Sequence, residues 1–131
     1  ERAMTVPIDE LVRTTQVSFL GMGWTTGLAH EAALKMREAA QAWTEAYSAA
    51  EYRHGPVSVA EPTRTTWMLG TPPAGLAADV RATGASFVCH EGIDPMAALV
   101  VAQRTAVGMA LARGLDPDHP RALTRSVILS S

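Results

Sequence analysis

Apolar and polar positions along the chain follow two periods in alternation. Val17-Ser18-Phe19-Leu20 is a short β-prone run ending in Gly21-Met22-Gly23, and an alanine-rich segment without proline follows from Gly27 to about Tyr47. This predicts a strand, a glycine turn and a long helix. Leu28, Ala32, Met36 and Ala40 recur every four residues and mark the apolar side of that helix, whereas Glu31, Lys35 and Glu38 align on another. Beyond His54-Gly55-Pro56, Thr65 to Leu69 reads as a second strand, closed by Gly70 and the pair Pro72-Pro73. A short helix from Ala74 to Thr83 and a third strand from Ala85 to Cys89 continue the pattern. Asp94-Pro95 then opens a helix from Met96 to about Arg113 that Gly114 ends. The segment from Asp116 onward, with two prolines, reads as an irregular tail.

Strands alternating with helices at this spacing build βαβ units, hence an α/β fold with a mainly parallel sheet and helices on both faces. Three clear strands are few for such a sheet. A fourth or fifth has to come from a weak segment or a partner, or else is missing.

With 131 residues the chain is read as one domain, residues 1–131, of a size that removes roughly two-thirds of its unfolded surface from water. Charged residues make up 18% and the net charge is -2, which gives no electrostatic footprint for nucleic acid or membrane. The longest unbroken apolar stretch, Met96 to Ala102, falls short of the ~20 residues that span a bilayer. A cytoplasmic location is expected. Cys89 is the one cysteine, so neither an internal disulfide nor a thiolate metal cluster forms within the chain, and no metal or cofactor is expected. The opening Glu1 suggests a piece of a longer chain.

Three spaced motifs carry a resemblance. They are Phe19-Leu20-Gly21-Met22-Gly23, then His30-Glu31-Ala32-Ala33-Leu34-Lys35-Met36-Arg37-Glu38, then Glu45-Ala46-Tyr47 followed by His54-Gly55-Pro56. The tail Gly114-Leu115-Asp116-Pro117-Asp118-His119-Pro120-Arg121 through Ser126-Val127 adds a fourth. In order and spacing they resemble the C-terminal isomerase half of glucosamine-fructose-6-phosphate aminotransferases and related phosphosugar isomerases with two sugar-isomerase (SIS) modules. The resemblance implies a flavodoxin-like three-layer αβα sandwich, the second SIS module of a longer chain, a sugar-phosphate substrate and a homodimer.

Carried over by position, Glu38 matches the base that moves a proton between C1 and C2 of an open-chain sugar phosphate. Such a base has to be held rigidly in a partly desolvated pocket to titrate near neutrality. Taken alone, a helical glutamate is ordinary solvated surface. His54 matches the histidine that opens the sugar ring from across a dimer interface, a task suited to imidazole near neutral pH; taken alone, it is a turn residue. Glu31 and Lys35 match pocket-lining, substrate-binding positions, and by themselves form a surface ion pair worth ~0.2–0.5 kcal/mol. Thr124 is assigned with them to substrate binding.

Three departures shape the functional expectation. Arg125 stands where the aminotransferases carry a lysine that handles the ketose carbonyl. A permanently protonated guanidinium does not form a Schiff base, so Arg125 is assigned to stabilising an enediolate or hydroxyl. The connection from Cys89 to the long helix is far shorter than the family's, which contains another strand. The Ser/Thr-rich phosphate loop of the first module has no counterpart here: Gly21-Met22-Gly23-Trp24-Thr25-Thr26-Gly27 reads as a tight turn, with Trp24 a packing residue or pocket wall. The expected function is phosphosugar isomerisation by proton transfer. The alternatives are the isomerase domain of a glutamine-dependent synthase, a sugar-amine phosphate deaminase or deglycase, and a non-catalytic sugar-phosphate sensor.

Overall fold

The computed structural model describes residues 1–123. Two single-turn helices, α1 (Arg2–Thr5) and α2 (Asp9–Val12), lead into β1 (Gln16–Gly21). There follow α3 (Thr25–Ala40), β2 (Thr44–Ser48), α4 (Ala49–Tyr52), a 3-10 turn (Pro56–Val59), β3 (Arg64–Met68), α5 (Leu76–Ala82), β4 (Ser86–Cys89) and α6 (Pro95–Ala112). The strands lie in the order β2-β1-β3-β4, every neighbouring pair parallel. That is the flavodoxin-like arrangement.

Alternation along the strands divides the core. Val17 and Phe19 of β1 and Trp67 of β3 pack with α3 and α6 on one face, where the Phe19 and Trp67 rings lie 5.4 Å apart. Leu20 and Met68 turn to the other face and pack with Tyr52, Leu76 and Val80 beneath α4 and α5. Flanked by strands on both sides and helices on both faces, β1 is buried at every position. Each fully buried large side chain contributes roughly 1.5–3 kcal/mol, and the result is a three-layer αβα sandwich.

Two elements differ from the sequence expectation. The helix expected to reach Tyr47 stops at Ala40, and Thr44–Ser48 is the missing fourth strand. Gln41 ends the helix in the left-handed region (φ 52°), its N–H donating to the Arg37 carbonyl at 3.0 Å. Thr44 ties the new strand back to the helix by donating to the Ala33 carbonyl at 2.9 Å and accepting from Arg37 at 3.1 Å. A glycine-free stop and a polar edge strand left no mark in the apolar pattern.

The second difference lies not in the bounds of α6, which runs where expected, but in its apolarity: it is an unbroken helix of 18 residues with mean hydropathy 1.3, long and apolar enough by those measures to cross a membrane. Gln103 and Arg104 interrupt its run of apolar residues. Here Ala98, Val101, Ala102, Ala106, Met109 and Ala110 are buried in the core with α3, and Arg104 is occupied by the carbonyls of Ala3 and Val6 at 2.8 and 3.0 Å. Small residues let the two helices approach closely. Asp94 caps α6, its carboxylate accepting from the Met96 N–H at 2.9 Å. The link from β4 to α6 is a turn, with no strand inserted.

Candidate functional site

α3 buries Ala29, Ala32, Ala33, Met36 and Ala40 and presents Glu31, Lys35 and Glu38 outward. Spaced four and three residues apart, these three side chains form one ionic row. Lys35 Nζ donates to Glu38 Oε2 at 3.1 Å and lies 3.8 Å from Glu31 Oε1. The hydrogen bond and charge of Glu38, followed by the charge of Glu31, hold the Lys35 ammonium above its ordinary range. Glu38 is the most sheltered of the three, its side chain 27% exposed against 41% for Glu31 and 45% for Lys35.

That shelter comes from the tail. Gly114, at φ 70°, turns the chain after α6, and Pro117 and Pro120 come to lie beside α3. They enclose with Lys35, Glu38, Gln103 and Val107 a hollow of about 270 Å³. Glu38 also borders a second hollow, of about 300 Å³, with Arg37, Arg121 and Leu123. Arg121 donates to Gln41 Oε1 at 3.1 Å and fastens the tail to the end of α3. Pro117 and Arg121 stood in the sequence only as members of the tail motif and Gln41 carried no signal, because their place beside Glu38 is a matter of where the tail folds. Thr124 and Arg125 lie outside the described residues.

His54 is not brought to this group. It follows β2 and α4, so the topology puts it past the carboxyl ends of the strands, whereas Glu38, late on α3, lies toward their amino ends. Its ring is exposed, and its backbone N–H donates to the Glu51 carbonyl at 2.9 Å.

The Gly21 segment is the tight turn its sequence suggests. A Cβ on Gly21 would lie 2.3 Å from the Thr25 carbonyl oxygen, so only glycine allows α3 to start so close to β1. The Thr25 hydroxyl accepts from the Met22 N–H at 2.9 Å and donates to the Met22 carbonyl at 3.0 Å, which commits it to the turn.

A parallel αβα sandwich alone is shared by many proteins, but together with its relatives it places the chain in the sugar-isomerase (SIS) family. It is 33% identical over 136 residues to the glutamine–fructose-6-phosphate aminotransferase of Aeropyrum pernix, a match covering 82% of this chain and 22% of the relative. The Corynebacterium diphtheriae enzyme of the same name is 31% identical over 151 residues, covering 91% of this chain and 24% of the relative. That alignment is longer than the chain itself, so the relative carries residues that this chain lacks. Among solved structures, glucosamine-6-phosphate deaminase from Thermotoga maritima superposes with a TM-score of 0.74 at 26% identity, covering 97% of this chain and 44% of that one. No family model matches. The chain thus spans about a quarter of the length of the curated relatives it matches.

Proposed function

We propose that this domain is the second SIS module of a phosphosugar isomerase and supplies the proton-transfer half of its active site. Glu38 is the base that carries a proton between C1 and C2. Lys35 positions it, Glu31 and Thr124 contribute to substrate binding, and Arg125 stands near the developing enediolate. The observation that carries this reading is the placement of Glu38: it is the one carboxylate of the ionic row that borders both hollows made by the tail. The last described residues, Pro120 to Leu123, run beside it and lead directly into Thr124 and Arg125.

His54 serves the neighbouring subunit's site in this reading, which fits its exposure and its separation from Glu38. The protein is accordingly a homodimer, its substrate is a sugar phosphate, the phosphate is held by another module, and the location is cytoplasmic. An arginine at position 125 favours isomerisation over imine chemistry.

The test is proton exchange between substrate C2 and solvent in the full-length protein. Glu38→Gln keeps the shape and removes the base, and exchange is expected to fall at least ~100-fold. Arg125→Lys retains activity. Undiminished exchange in a folded Glu38→Gln protein that still binds its sugar phosphate would overturn the assignment. A strict monomer by light scattering at micromolar concentration would overturn the shared His54.

A further inference from the structure

The turn that presents His54 is tied to a second crossover of the sheet by the residue before it. Tyr52 ends α4 fully buried, and its hydroxyl shares a hydrogen bond of 2.9 Å with that of Thr66 on β3. Two residues on, His54 is exposed. Arg53, between them, reaches the crossover that follows β3. Its Nη1 donates to the Ala74 carbonyl at 3.1 Å, and its Nη2 lies 2.5 Å from Asp79 Oδ2 on α5. The backbone at Gly75, where φ is 83°, runs against the same guanidinium: a Cβ there would lie 3.4 Å from Nη2.

The fold does not need this tie for its stability. The Arg53 and Asp79 side chains are 42% and 47% exposed, and water screens an ion pair at that exposure to little net effect. Tyr52, Leu76 and Val80 already hold α4 and α5 together over Leu20 and Met68. The contribution of the tie is geometrical. One buried anchor at Tyr52 leaves the following turn free to swing about it, whereas a planar guanidinium bonded through two nitrogens to two points of α5 and its approach removes that freedom. The remaining backbone bonds of the turn are internal to it. The His54 N–H donates to the Glu51 carbonyl and the Ser58 N–H to the Gly55 carbonyl, both at 2.9 Å, and neither reaches another element.

We infer that Arg53 is a positioning residue for His54: by locking the turn to α5 it presents the imidazole outward in one fixed direction. The inference rests on the reading of His54 as the ring-opening group of the neighbouring subunit's site, and adds the group that aims it.

The experiment joins hydrogen exchange, read by mass spectrometry on the full-length protein, with kinetics. In Arg53→Ala the peptide covering residues 54–59 is expected to exchange about tenfold faster, with β1 unchanged and the melting temperature within about 4 °C. Arg53→Lys, which holds one of the two partners, falls between. With glucose 6-phosphate as a closed-ring probe, C2 proton exchange with solvent is expected to lose about tenfold in kcat at unchanged KM in Arg53→Ala. Placed on top of His54→Ala, Arg53→Ala has no further effect, because a group that acts through His54 has nothing left to aim. Unaltered protection of residues 54–59 in Arg53→Ala would overturn the tie, and losses that multiply in the double variant would overturn the route through His54. Full activity in His54→Ala would overturn the ring-opening reading itself, while the protection of the segment would still decide whether Arg53 fixes the turn.

Discussion

The outer face of α3 and the carboxyl edge of the sheet divide between them what a binding site needs. On α3, Glu31, Lys35 and Glu38 supply charge in a defined row, yet the flanking hollows are open and shallow. At the carboxyl edge, the shape is present, with Gly70 to Pro72 forming the floor of a continuous crevice, but its one formal charge is Glu91. Fold rules alone direct attention to the second region, and residue motifs to the first. The difference teaches that charge and shape need not coincide on one domain: the ordered row of charges lies on an outer helix face, and the deepest concavity lies apart from it at the carboxyl edge of the sheet.

The largest expected effect tests the edge. Gly21→Ala sets a methyl group 2.3 Å from the Thr25 carbonyl oxygen, a backbone atom that cannot yield without moving α3. A loss of about 3 kcal/mol or more in urea unfolding is expected. Gly23→Ala, where φ is 56° but nothing lies within 4 Å, is expected to cost only about 1–2 kcal/mol. Equal costs at the two positions would show that conformation, not contact, makes the turn.

On the α3 face, Lys35→Met is expected to slow substrate proton exchange about tenfold, the scale of one charged hydrogen bond, and less than Glu38→Gln does. A loss as large as that of Glu38→Gln would make Lys35 a chemical rather than a positioning group. The same substitution should change stability by only a few tenths of a kcal/mol, since the Lys35 side chain is nearly half exposed. That small contribution is present below the ordinary lysine range and disappears as pH rises through the elevated Lys35 value.

The smallest effect lies in the tail that shelters Glu38. His119 Nδ1 and Asp116 Oδ2 are 2.7 Å apart, which raises the imidazole above its ordinary value near 6.5 and lowers the carboxyl. The pair is complete between those two displaced values. It is lost at the acid end as Asp116 protonates and at the alkaline end as His119 deprotonates. An NMR titration should place the His119 midpoint above 6.5, and Asp116→Asn should return it to the ordinary value.

Much of this was legible in the sequence. The three clear strands, the α3 row and the Asp94 cap follow from period, spacing and cap chemistry, because each is decided within a few residues. β2 was hidden since Thr44 to Ser48 has no strong alternation and the stop before it is a glutamine. Trp24 could be read only as packing or pocket wall, because the hollow that it borders is completed by Gly70 to Pro72 of a different crossover. Glu38 was singled out by its motif, but its shelter depends on Pro117 and Pro120, about eighty residues away in the chain.

The join between β1 and α3 also limits what this edge can become. A loop that wraps a phosphate needs slack between strand and helix so that backbone N–H groups can turn outward. Here a side chain on Gly21 would already meet Thr25, and the N–H groups of Met22, Thr25, Thr26 and Gly27 are taken within the turn. Replacing residues one at a time adds no slack. In a directed-evolution experiment that demands anion binding at this edge, successful variants would therefore arise by insertion between Gly21 and Thr25, and libraries of substitutions alone would fail. The restriction on new function here is one of chain length, not of residue type.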